Sequence, residues 1–89
     1  MAFKREALKE LRERLGMTRD DLAFALSETS KFLGLENSYT GVTIGNYESG
    51  RTLPRVDILD SLEFLAKSHD YIDIVFYEPF TLAKIKEAR

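Results

Sequence analysis

A short junction, Leu15-Gly16-Met17-Thr18, interrupts two stretches of helical periodicity. Before it, from Phe3 to Leu15, Ala7, Leu8, Leu11 and Leu15 recur at helical spacing with charges at most positions between them, so one face is buried and the other solvated. Gly16 suits a left-handed C-terminal cap. Thr18 then opens a second helix, with Asp20 and Asp21 at its positive end and Met17 placed to staple onto Leu22. The chain must therefore begin as two helices joined by a tight turn.

The second helix carries Leu22, Ala25, Leu26, Thr29, Phe32 and Leu33 on roughly one face, and its pattern persists to a Gly34 cap. Leu35 to Tyr39 reads as a polar loop. A third, short helix from about Gly41 to Glu48 follows, with Thr40 as its cap, Tyr39 stapling onto Ile44, and Ser49-Gly50 as its end. Pro54 suits the first turn of a fourth helix, whose buried stripe is Ile58, Leu59, Leu62, Leu65 and Ala66 and whose end is near Lys67. Tyr71 to Tyr77 is dense in β-branched and aromatic residues, which favours a strand and leaves a short fifth helix open. Phe80 to Ala88 suits a terminal helix. The expectation is a mainly all-α bundle of four to five helices. With 89 residues, 44% of them hydrophobic, there is apolar material for one core, so residues 1–89 are read as a single domain.

Several function classes fall away. There is no cysteine, hence no disulfide framework and no thiolate metal site, and His69 is the only histidine, so the usual zinc constellations cannot be assembled. His69 reads as a helix-end residue. No phosphate-binding glycine loop or convergent catalytic group is present, so neither an enzyme nor a cofactor is expected. No apolar run approaches the ~20 residues of a membrane helix, and the charged start from Met1 to Arg14 is unlike a signal peptide. A cytoplasmic protein with no membrane partner is expected. The net charge of -2 is unevenly spread: residues 1–55 sum to +1, residues 56–78 to -5 and residues 79–89 to +2. If the acidic segment faces away, the remaining surface is free to meet phosphate.

Two segments carry a resemblance: Leu11-Arg12-Glu13-Arg14-Leu15-Gly16-Met17-Thr18-Arg19-Asp20-Asp21-Leu22-Ala23, and Thr43-Ile44-Gly45-Asn46-Tyr47-Glu48-Ser49-Gly50-Arg51-Thr52-Leu53-Pro54. Together they resemble the lambda-repressor-like (Xre-type) helix-turn-helix family over about residues 5–68. Two departures stand out. Arg19 replaces the family's usual glutamine. The step from Leu26 to Ile44 is 18 residues, where the resemblance implies about seven, so about eleven extra residues within 27–39 lengthen the second helix and its connection to the reading helix.

The resemblance implies sequence-specific binding of double-stranded DNA by a transcriptional regulator, a repressor of bacterial, archaeal, phage or plasmid origin. The physical basis stands beside it: a short helix on two supporting helices can project one face into a major groove about 12 Å wide. Ile44 and Tyr47, three apart, point inward and leave Gly41, Val42, Gly45 and Asn46 outward. Asn46 is the best candidate for base readout, since its amide can accept from adenine N6 and donate to N7. Val42 suits a thymine methyl, Gly41 close backbone approach, and Thr40 and Thr43 donation to phosphate or base, with a simple capping role as the alternative for Thr40. Arg19 stands where the resemblance implies a phosphate contact, with pairing to Asp20 or Glu36 as the ordinary alternative. Arg51 and Arg55 resemble loop contacts to phosphate, and Lys31 lies near the insertion. Arg12 and Glu48 occupy positions implied to form a partly buried structural ion pair, and Tyr47 replaces a commoner tryptophan as a core residue.

A single reading helix covers few base pairs, so a homodimer is expected, with residues 69–89 as a dimerisation tail built on Tyr71, Ile72, Ile74, Val75, Phe76, Tyr77 and Phe80. The alternative is that these residues cap the core. The competing functions are an adaptor that binds a protein partner through the acidic segment, and an antitoxin that keeps DNA binding and adds a tail for a protein partner such as a toxin or an antirepressor.

Overall fold

The computed structural model describes residues 2–78. Its elements are β1 (Ala2–Phe3), α1 (Arg5–Arg14), α2 (Arg19–Phe32), α3 (Gly41–Ser49), α4 (Ile58–Ser68) and β2 (Tyr77–Glu78). The architecture is the expected mainly helical bundle, with one addition: β1 and β2 pair antiparallel, Ala2 opposite Glu78 and Phe3 opposite Tyr77. This pairing shortens the first helix. Phe3 is extended rather than helical because it stacks edge-on against Tyr77, ring centroids 5.3 Å apart, and the Lys4 N–H donates to the Phe76 carbonyl at 2.7 Å.

The junction forms as its sequence dictates. Gly16 takes φ 66°, a region that costs a side-chain-bearing residue energy. Its N–H donates to the Glu13 carbonyl and the Met17 N–H to Arg12, closing α1 with the paired bonds of a Schellman motif. Thr18 then forms a reciprocal capping box with Asp21, which satisfies two backbone donors at the start of α2.

The extra residues between α2 and α3 are partly helix and partly a connection laced to it. α2 continues to Phe32, as its periodicity indicates. Ser30, fully buried, accepts from the Asn37 N–H at 2.8 Å, and Ser27 accepts from the Tyr39 N–H at 2.8 Å. Two serine hydroxyls on one face of α2 thus satisfy the backbone of the returning chain and deliver Thr40 to the start of α3. Asn37 also donates to Asp57 at 2.9 Å, tying the connection to α4.

One boundary differs from expectation. Pro54 does not open α4; it is a buried corner in the preceding connection, and the helix begins at Ile58 after a turn closed by the Ile58 N–H on the Arg55 carbonyl. A proline tolerates either place because both lack a required N–H.

The core is one cluster, built on Leu8 and Leu11 of α1, Leu22 and Leu26 of α2, Ile44 of α3, Ile58 and Leu62 of α4, and Phe76. α2 is the central element, packing on both α3 and α4. Residues 71–76 form a turn and an irregular approach to β2, so of the run expected as a strand or fifth helix only Tyr77 is strand and none of it is helix. Phe76 and Tyr77, expected in a dimerisation surface, are instead buried in the monomer's core. The reason is cooperative: β1 offers them a backbone partner and Phe3 an aromatic one. The turn is fastened by Arg14, which makes a bidentate pair with Asp73 at 2.8 and 2.9 Å and lies 5.4 Å from the Tyr71 ring. That pairing holds the Asp73 carboxyl below its usual range. Phe80 and the proposed terminal helix lie outside the described residues.

Candidate nucleic-acid interface

The first turns of α2 and α3 converge. Gly41 permits it: a β-carbon there would lie 3.2 Å from the Asp20 backbone nitrogen and overlap the Asp20 carboxylate. Two helix N-termini, each with its partial positive charge, therefore share one open groove of about 800 Å³. It gathers six of the nine residues anticipated as DNA contacts: Arg19, Gly41, Val42, Gly45, Asn46 and Arg51. None of its lining residues comes from α4 or from the acidic segment.

α3 presents the expected faces. Ile44 is fully buried and Tyr47 packs against the core, where burial raises the Tyr47 hydroxyl pKa. Val42 is 75% exposed on the other side, an apolar methyl pair facing the groove. Asn46 lines the groove, and its backbone carbonyl accepts from the N–H groups of Arg51 and Thr52 and so turns the chain after α3. Thr40 caps α3 by accepting from the Thr43 N–H, and the two threonine hydroxyls lie 3.0 Å apart. Their first role is local, and neither lines the groove. Arg55 does not line it either; it borders a separate depression with Asn37, Tyr39 and Asp57. Lys31 pairs with Glu28 on the exposed side of α2.

One enclosed carboxylate holds two of the groove's arginines. Glu48, with its side chain only 4% exposed, accepts two bonds from Arg12, at 2.7 and 3.2 Å, and a longer one from Arg19 at 3.4 Å. The Glu48 bonds raise the Arg12 pKa against the opposing cost of burial. The anticipated Arg12–Glu48 pair thus links α1 to the end of α3 as expected, and Glu48 also reaches Arg19. Glu48, rather than Asp20 or Glu36, is the partner of Arg19. Arg19 remains more than half exposed, its chain lying over Gly45 with atoms 3.5–3.7 Å from where a β-carbon would stand. A guanidinium so held is oriented and still accessible to an anion.

Two contributors escaped the sequence reading. Arg5 donates to the Ser49 carbonyl at 2.9 Å, placing a cation at the negative end of α3 from another helix. Asp20, anticipated as a first-turn residue of α2 and a candidate partner of Arg19, stands inside the groove. Neither position has a local signal, because both roles depend on how two helices cross. The chain matches no family model, no curated protein and no solved structure in comparisons with each.

Proposed function

We propose that this protein binds double-stranded DNA sequence-specifically through the major groove and acts as a transcriptional regulator of the repressor type. The observation that carries this reading is the groove at the convergent N-termini of α2 and α3, which gathers Arg19 and Arg51 with Asn46, Gly41, Val42 and Gly45. Cations at the rim position a duplex by its phosphates, and a short amide on the exposed face of α3 reads a base edge. The -5 charge of residues 56–78 is carried by α4, its N-cap Asp57 and the chain beyond it, none of which lines the groove, so it does not repel the duplex at this face.

Fluorescence titrations on an operator selected from random sequence, and on random DNA, test the reading. Asn46→Ala is expected to weaken operator binding by about 1–3 kcal/mol and leave random DNA nearly unaffected. Arg19→Ala and Arg51→Ala are expected to weaken both DNAs and to make the salt slope shallower by about one unit per contact removed. Absence of salt-dependent binding by the wild-type chain to any duplex would overturn the proposal.

Two copies on half-sites about 34–36 Å apart supply the specificity that one reading helix lacks. With Phe76 and Tyr77 committed to the core, Ile72, 80% exposed, and the half-exposed Val75 remain as the apolar surface for self-association. The double substitution Ile72→Asp, Val75→Asp is expected to sediment as a monomer where the wild type is dimeric. A wild type that stays monomeric on a two-half-site operator rejects this surface.

One observation favours a second reading, an antitoxin or adaptor that binds a protein. Phe32 of α2 and Phe64 of α4 touch at 5.3 Å between centroids and both face solvent, beside Asp60 and Glu63. An exposed aromatic pair of this kind suits a partner's apolar anchor.

A further inference from the structure

Gly41 is the first residue of α3, and on a helix that enters a groove the first residue's side chain would face the bases. Gly41 has none. The space it leaves is filled from the other helix: an ideal β-carbon on Gly41 falls on the Asp20 carboxylate, 2.9 Å from its Cγ. Asp20 is exposed, lines the groove with Arg19, Val42 and Asn46, and forms no ion pair among the described residues, since the adjacent Arg19 turns to Glu48. α3 carries no acidic residue in its own first turn, so Asp20 also complements its positive end.

We infer that Asp20 is a specificity-determining residue of the DNA-reading face, supplying from α2 the functional group that α3 lacks at its first position and selecting cytosine there. This rests on the DNA-binding reading above. An ionised carboxylate only accepts hydrogen bonds. Among major-groove edges, cytosine offers its N4 amino donor with no acceptor of its own beside it, whereas guanine presents only acceptors and thymine an acceptor and a methyl. A carboxylate held near the phosphates also weakens every encounter in which it finds no donor, because like charges meet without compensation. Asp20 thereby acts twice, accepting from the right base and opposing the rest.

The experiment selects duplexes from a randomised library in parallel with the wild-type chain, Asp20→Ala and Asp20→Asn, and then measures affinities on the wild-type consensus and on random DNA. Circular dichroism confirms that each variant, changed at an exposed position, retains the fold. The wild type is expected to require cytosine at one position. Asp20→Ala is expected to relax that position alone, bind the consensus roughly 5- to 50-fold more weakly, and bind random DNA about 2- to 5-fold more tightly because a charge of phosphate's sign is gone. Asp20→Asn is expected to move the preference from cytosine to adenine, since an amide pairs with adenine N6 and N7. A helix-capping role alone does not change base preference. An unchanged consensus in both variants, or a uniform loss on all DNA, overturns the assignment of Asp20 and leaves the DNA reading standing. If the wild type enriches no sequence, the DNA reading fails and this assignment fails with it.

Discussion

Replacing Phe76 with alanine is expected to destabilise the isolated monomer by about 3–5 kcal/mol, the range for deleting a buried aromatic ring whose site cannot collapse. Phe76 is only 2% exposed, packs in the same cluster as Leu8, Leu11 and Leu62, and accepts the Lys4 N–H through its carbonyl. Its ring therefore fills the core, while its backbone fastens the N-terminal strand. Against a total stability of about 5–15 kcal/mol for a domain of this kind, the loss is a large share of what holds the chain folded. Urea denaturation at several protein concentrations measures it. A cost that appears only at concentrations where the chain is dimeric would return Phe76 to an intermolecular surface, and a cost below about 1 kcal/mol would remove it from the core.

The second large effect is expected at Glu48. Its carboxylate is almost wholly enclosed and holds Arg12 and Arg19, so Glu48→Ala leaves a guanidinium with its side chain 17% exposed and no partner across the α1–α3 contact. Breaking a fully buried pair costs about 3–5 kcal/mol, and the water that still reaches Arg12 lowers the expectation to about 2–4 kcal/mol. Arg12→Ala is expected to cost less, because Arg19 remains beside the carboxylate. Chemical denaturation of both variants checks the order as well as the size. Equal losses would mean that Arg19 does not share the carboxylate, and losses below about 1 kcal/mol would place the pair with solvated surface bridges.

The two effects differ in how far the sequence announced them. The Arg12–Glu48 pair was anticipated from a resemblance and needs only that α1 and the end of α3 meet. The place of Phe76 is open in the sequence, because an apolar run has the same composition whether it covers its own core or another copy's, and the structure buries it in its own.

What the sequence determined by itself is what acts over a few neighbouring residues. The Gly16 cap, the Thr18 capping box, the run of α2 to Phe32, the Thr40 cap and the inward pair Ile44 and Tyr47 follow from spacing and local hydrogen bonding, whose partners lie within a turn or two of the chain. The displacement of Pro54 from the head of α4 shows the limit, since a proline fixes φ without saying which element follows. The remainder arises where distant segments meet: the β1–β2 pair that draws Phe76 and Tyr77 inward, the Arg5 cation under the end of α3, the removal of Arg55 from the groove, and the Asp20 carboxylate standing in the space of the side chain that Gly41 lacks. These depend on the crossing of helices, and crossing is set by the packing of the whole core, which no local window of sequence contains.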